Sequence, residues 1–405
     1  MKKIFISLLL IAVLSASLFA AEEVSPKTDS NVYAQISSPF AMLDARSQAM
    51  GGVGTAATSN IQALWANPAG LADRKVQVSL PHVGFTLYNP KAIIQSGVIE
   101  SGDMDKLVDV MLKDVLTSGY GKILDANAAV SFTAGGFGLG VGVQDSLYTY
   151  APKSSTGGLN SNIIDQLTAE VKLGYGFRIN FTDTASMDIG LSSGFRYMLY
   201  NKAIDGQKLL DIYNKMGEGE GSADAMAIMN TIPLMAGWTI PFDAGVRFNL
   251  PFGFKIATSV NNLNIGYTMN AYDNYDGWSQ SPFTGDTSFK LNQDFSWNVG
   301  FAFDPDMSWA FKPTIEADFV DLYGLIKDGD YSARALMNHF KAGAEIKGLW
   351  IFDIRGGYNS GYWTLGAALN LYLVRVEASY FWQEFGSVAG EKGIDGLTVT
   401  ANIGW

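Results

Sequence analysis

The side chains in this sequence that could make or break bonds are few and scattered. Two histidines, His82 and His339, fall on different predicted strands and there is no cysteine, so a histidine-based triad or a His/Cys metal cage has too few members to assemble. The run from Gly135 to Gly142 alternates glycine with Phe137, Leu139 and Val141 and leads into no helix, which marks a strand rather than a phosphate-binding loop. The acidic pairs Asp103/Asp105 and Asp328/Asp330 read as solvated loops, with a weak calcium site as the alternative. No catalytic residue, cofactor or resident metal is implied. What remains is charge set at two-residue intervals within apolar stretches. That parity turns Lys172, Arg196 and Lys341 to one face, toward the end where the longer connections lie, and makes them the candidates to hold an anionic head group. Arg178, Arg247, Lys255, Lys312 and Arg375 share that face nearer the other end, and Asp188, Asp243, Glu316, Asp318, Glu345, Asp353 and Glu377 are expected to pair with most of these cations.

Such charges need strands to position them, and the alternation is sustained. Trp238, Ile240, Phe242, Ala244, Val246 and Phe248 are apolar, while the odd positions between them include Thr239, Asp243 and Arg247. Leu167 to Ile179, Phe295 to Phe303 and Leu397 to Trp405 repeat the pattern, giving strands near 76–87, 125–134, 137–150, 166–181, 185–200, 234–249, 253–268, 293–303, 309–320, 339–347, 350–358, 361–371, 373–385 and 396–405. About fourteen strands, joined alternately by tight turns and mostly longer loops, predict an all-β transmembrane antiparallel barrel with apolar side chains toward lipid and polar ones toward the lumen. The 44 glycines, 24 phenylalanines, 18 tyrosines and 9 tryptophans, with 17% charged residues, suit such a wall better than a soluble domain. A net charge of −11 excludes nucleic acid as a partner.

Residues 1–21 have the order of a secretory leader: Lys2-Lys3, an apolar run from Ile4 to Val13, and small residues up to Ala20-Ala21, near which cleavage is expected. No cysteine follows for a lipid anchor, and no later run is long and apolar enough for a transmembrane helix. The expected location is the cell outer membrane, with outer-membrane lipid around the barrel and the insertion machinery as the partner during assembly.

Between leader and barrel (76–405), residues 22–75 hold the one long stretch that does not read as strand. Helix-compatible spacing from Phe40 to Met50 stops at Gly51-Gly52, and a second short helix from Ser59 to Ala66 is closed by Asn67-Pro68, with Ala69-Gly70 turning the chain into the first strand. The segment is expected to plug the lumen. Ala45-Arg46-Ser47-Gln48-Ala49-Met50-Gly51-Gly52-Val53 and Ala63-Leu64-Trp65-Ala66-Asn67-Pro68-Ala69-Gly70-Leu71 resemble the N-terminal hatch of the FadL family of outer-membrane transporters for long-chain fatty acids and other hydrophobic compounds. Related barrels of secretion share much of the same block. The resemblance implies a fourteen-stranded barrel and a distorted third strand that opens sideways to the bilayer. On the third strand, Gly138, Gly140 and Gly142 are the candidates for that lateral gate, and making room for the hatch is the other use for them.

Loop residues supply a candidate groove for a hydrophobic ligand: Leu209, Leu210, Tyr213, Met216, Met226 and Met229 in one loop and Tyr272, Tyr275 and Trp278 in the next, side chains that adapt to an alkyl chain or pack the loops onto the rim. Residues from Met104 to Leu116 add an amphipathic helix. The function expected first is passive uptake of long-chain fatty acids or similar hydrophobic molecules, with hatch rearrangement and lateral release into the bilayer. The alternative is a hatch-bearing barrel that shuttles or anchors surface proteins in secretion.

Overall fold

The computed structural model describes residues 40, 42 and 44–404, apart from 59, 102–118, 152–161, 202–203, 206–232, 265, 286, 306, 308–310, 349–350 and 387. The leader, the final Trp405 and the helix expected over 104–116 lie outside the described residues.

Eighteen hydrogen-bonded segments form one sheet. Three strands are each interrupted once and one two-residue segment, Ile204–Asp205, is an appendage on its neighbour, which leaves fourteen strands. They are β1 (Gln77–Tyr88), β2 (Gly119–Ala134), β3 (Phe137–Ala151), β4 (Asn162–Asn180), β5 (Ser186–Asn201), β6 (Leu234–Thr239 and Phe242–Asn249) and β7 (Phe254–Leu263 and Tyr267–Tyr272). The second half comprises β8 (Thr287–Leu291 and Ser296–Phe303), β9 (Phe311–Phe319), β10 (Phe340–Gly348), β11 (Phe352–Asn359), β12 (Tyr362–Leu371), β13 (Val374–Glu384) and β14 (Gly393–Gly404). Each pairs antiparallel with the next, and β1 pairs with β14 through registers such as Phe85↔Val399, so the sheet closes and leaves no edge. The interruption in β6 falls at Pro241, which has no N–H to give to a ladder. Gly135 and Gly136 make the β2–β3 turn, both with positive φ (61° and 93°), as a two-residue hairpin turn requires.

The wall is apolar outside and polar inside. Phe137, Leu139, Val141 and Val143 of β3 and Val171, Leu173, Tyr175 and Phe177 of β4 are exposed, whereas Glu170, Lys172, Asp188, Arg196, Arg247 and Glu345 are buried. Strand length varies around the barrel. β2–β5 run 15 to 19 residues, against 8 to 12 for β9–β14. A tilted strand crosses a bilayer in about 9–11 residues, so β2–β5 stand beyond the membrane at the long-loop end. That explains why the upper ends of β2 and β4, 119–124 and 162–165, lie outside the alternation pattern: exposed apolar positions stop at Val143 and Leu167, and above them Thr149, Ile163 and Asp165 are buried.

Candidate functional site

The described residues between 40 and 74 lie inside the barrel, and their contacts run around the inner wall. Asp44 caps the single-turn helix α1 (Ala45–Ala49), accepting the Arg46 N–H at 3.0 Å. Burial, reinforced by the charge of Glu377, raises the Asp44 carboxyl above its ordinary range. After α1, Gly51 (φ 76°) and Gly52 (φ 84°) reverse the chain against the wall, where a Cβ on Gly51 would strike the carbonyls of Tyr358 and Ala342. Helix α2 (Asn60–Trp65) follows. Asn67, 1% exposed, then accepts the Ala69 N–H and donates to the Thr55 carbonyl at 2.7 Å, which folds the Asn-Pro-Ala-Gly block onto the first half of the hatch. Gly70 sits where a Cβ would meet the Thr58 carbonyl and Ala63, so this motif is a device for folding the plug on itself.

One wall holds the hatch by charge. Arg46 donates to both oxygens of Glu345, at 2.9 and 3.2 Å. Glu345 also accepts from Arg355 at 2.6 Å, and Arg355 and Arg375 both donate to Asp353 and Glu377. On β9, four successive hatch amides end on two carboxylates. The N–H groups of Gly54 and Thr55 donate to Asp318, and those of Ala56 and Ala57 to Glu316, over 2.6 to 3.0 Å. At the turn end, Asp73 of the hatch accepts from Arg178 and Arg247, which share Asp188, and Arg247 also donates to the Thr58 carbonyl. Beyond the strands, in the β8–β9 turn, burial would raise the Asp304 carboxyl, but Lys255 and Lys312 outweigh it and hold it at about 2.

The opposite wall holds the hatch by shape. A Cβ on Gly138 would lie 3.0 Å from Leu71, on Gly140 2.5 Å from Trp65, and on Gly142 2.8 Å from Phe40. Gly174 and Gly176 of β4 face Leu71 in the same way, and Gly190 and Gly245 face Pro68 and Asn67. The three β3 glycines thus face the lumen, as their parity predicts, and hatch side chains fill the space they leave. β3 itself is regular. It pairs with β4 without a register shift from Phe137↔Tyr175 to Tyr150↔Asn162, and along its whole length with β2, where the one shift falls at Lys122/Leu124 of β2. The distortion implied by the resemblance is absent from the register of this strand, and hatch side chains stand against its glycines.

Above the hatch a cavity of about 230 Å³ is lined by Phe40, Trp65, Lys172, Arg196, Asp243 and Asn298, among others. The structure brings two of the predicted cations together here. Lys172 pairs with Asp243 and stands 5.6 Å over the Trp65 ring. Arg196 donates to Glu170 at 2.9 Å and to Asn262 at 2.8 Å. Lys341 sits elsewhere, across the ladder from Asp318 and beside Gly52. Higher still, the inward face turns apolar: Tyr148, Ile164, Met198, Tyr200, Tyr267 and Met269 form a buried, mutually packed cluster at the long-loop end. The strand and loop ranges read from the sequence do not single these residues out. The signal was present, since at inward parity Lys172 gives way to Ile164 along β4 and Arg196 to Met198 and Tyr200 along β5.

The predicted loop groove divides. Leu209, Leu210, Tyr213, Met216, Met226 and Met229 lie outside the described residues. Tyr272, Tyr275 and Trp278 lie on the outer wall, on the face of the strands away from the cavity. Helix α3 (Tyr275–Gln280) folds back against Leu234, Ala236 and Tyr197, with the Trp278 Nε1–H donating to the Tyr197 hydroxyl at 2.7 Å and the Tyr272 hydroxyl to the Ser281 carbonyl. Packing of the loop onto the rim describes these three.

The sequence matches the family of the Type IX secretion system membrane protein PorP/SprF over residues 159–373. None of the curated proteins matches the chain. Among solved structures it is similar to the Pseudomonas putida toluene transporter TodX, with 10% identity, a TM-score of 0.46, and 90% of this chain and 98% of that chain covered. It is also similar to the Ralstonia pickettii toluene transporter TbuX (12% identity, TM-score 0.42, 89% and 97% covered) and to a Pseudomonas aeruginosa FadL homologue (10%, 0.39, 89% and 98%).

Proposed function

As the chain belongs to the PorP/SprF family of type IX secretion system membrane proteins, we propose that it serves secretion at the outer membrane as a barrel closed by its own hatch, holding an apolar or aromatic segment of a surface protein against the apolar inward face at its outer end. The observation that carries this reading is that an apolar inward cluster stands over a lumen filled by residues bound on both walls. Tyr148, Met198, Tyr200 and Tyr267 offer aromatic and thioether surface that suits an apolar guest, and the bound hatch beneath them favours holding over passage. In this reading the leader is removed near Ala20 or Ala21 during export, and the insertion machinery then places the barrel in the outer membrane. The test is a photo-reactive residue at Met198 in living cells. A covalent adduct with a secreted polypeptide supports the reading, and adducts with lipid alone sink it.

Those lipid adducts would favour the second reading, uptake of long-chain fatty acids or similar hydrophobic molecules. It draws on the same apolar cluster, which lies over the cavity of Lys172 and Arg196, cations that would have to exchange Asp243 and Glu170 for a ligand head group. Release would require the hatch to rearrange and the β3 ladder to part beside Gly138, Gly140 and Gly142. Replacing the three by valine should then abolish uptake while binding to the purified protein persists. Uptake at the unmutated level would remove the lateral route.

A further inference from the structure

On the outer wall at the long-loop end, the connection between β9 and β10 folds into two short helices, α4 (Leu322–Asp328) and α5 (Ala333–His339). The second is fixed at several points. Ser332 caps it, the Arg334 Nε–H donates to the Ala389 carbonyl at 2.9 Å, the Ser360 hydroxyl to the Asn338 carbonyl at 2.9 Å, and the Val320 N–H to the His339 carbonyl. Held in this way, α5 stands over the outward faces of β9, β10 and β11 and leaves a slot of about 530 Å³ lined by Phe319, Leu336, Met337, Phe340 and Tyr358. Tilted rings make its floor, with centroids 6.3 Å apart for Phe319–Phe340 and 6.2 Å for Phe340–Tyr358. Leu336 and Met337 remain 37% and 39% exposed, so nothing among the described residues fills it.

The slot continues the lipid-facing wall, because Ile315, Ile346 and Ile354 on the same three strands are exposed directly toward the turn end. Its size falls within the about 300–1,000 Å³ of small-molecule sites. Its chemistry selects between guests. A polypeptide would bring N–H and C=O groups that need partners in a dry site, and the lining offers only the Tyr358 hydroxyl. An alkyl chain needs none. We propose that this slot seats one acyl chain of an outer-leaflet lipid, clamped between α5 and the outer faces of β9–β11 and separate from the lumen.

The test uses the full-length barrel in nanodiscs containing a phospholipid with a diazirine in its acyl chain. After irradiation, adducts should concentrate on Leu336, Met337 and Phe340 in excess over Ile354 and Leu365, which are more exposed (59% and 66%) but lie on open wall. Met337→Trp fills the slot and should abolish that excess, with labelling of Ile354 and Leu365 and heat-modifiable gel migration unchanged. Slot residues labelled no more than open wall, or an excess that survives Met337→Trp, would overturn the proposal. A polypeptide captured by benzoylphenylalanine at position 337 in native membranes would also overturn it, by showing a protein occupant.

Discussion

The two walls that face the hatch grip it with different emphasis. Across β9–β13 the grip is electrostatic: Arg46 enters the Glu345–Arg355–Asp353–Arg375–Glu377 network and four backbone amides end on Glu316 and Asp318. Across β3–β6 it is largely steric, with Leu64, Leu71, Trp65 and Pro68 set against a row of glycines and charge confined to the turn end, where Arg178 and Arg247 hold Asp73. Gly343, Gly357 and Gly366 give the charged wall seats of its own for Met50, Gly51 and Ala49. The difference teaches how each could fail. Buried charges resist separation, because each one left behind is desolvated and unpaired. A glycine seat lets go once something displaces the side chains from it, since it has only dispersion and excluded water to lose. The charged wall is therefore the anchor and the glycine wall the face from which the hatch would peel.

The sharpest way to break this contrast is Glu345→Ala, which strips Arg46 and Arg355 of a shared partner. Removal of one side of a buried pair costs about 3–5 kcal/mol. The hatch should become protease-sensitive in detergent and reconstituted liposomes should leak small polar solutes, while the barrel stays heat-modifiable. A tight, protected barrel would mean that the anchor lies elsewhere.

A milder cut on the same wall is Glu316→Gln with Asp318→Asn, which keeps an acceptor for each amide and removes the charge. Hydrogen bonds to charged groups are worth about 1.5–3 kcal/mol and neutral ones about 1. Hydrogen exchange at residues 54–57 should quicken while exchange in the glycine-facing turn at 68–73 stays slow. Equal acceleration of both would show that the two grips are not separable.

On the other wall, Gly140→Val drives a side chain into Trp65, and overpacking costs about 1–3 kcal/mol. Here the order should reverse, with exchange rising first at residues 60–73 and the Arg46 anchor intact. If the anchor loosens first, the division between the walls is wrong.

The smallest expected effect lies outside both walls, at Asp304. Its carboxyl sits at about 2 in the fold against an ordinary 3.8, so its contribution is present above about 3.8 and is lost as pH falls through about 2. The thermal unfolding of Asp304→Asn should fall slightly below that of the unmutated protein at neutral pH, and the gap should close toward pH 2. A gap that persists at pH 2 would assign the effect to packing.

The sequence by itself determined the number of strands, which side chains face inward, and that residues 40–71 are not wall, because period-two alternation and glycine or proline punctuation are local signals. It also placed Gly138, Gly140 and Gly142 on the lumen side. Only the tertiary structure decided what meets them there. Arg46 reaches Glu345 across 299 positions of chain, and that pairing depends on barrel closure and shear, which fix the strand opposite each turn of the hatch. The same holds for Tyr272, Tyr275 and Trp278. Their composition fits a ligand groove or rim packing equally well, and the fold-back of α3 onto the outer wall follows from where β5 and β6 rise past the bilayer. Parity names the face a side chain takes, while closure of the barrel names its neighbour, and the chemistry here is in the neighbours.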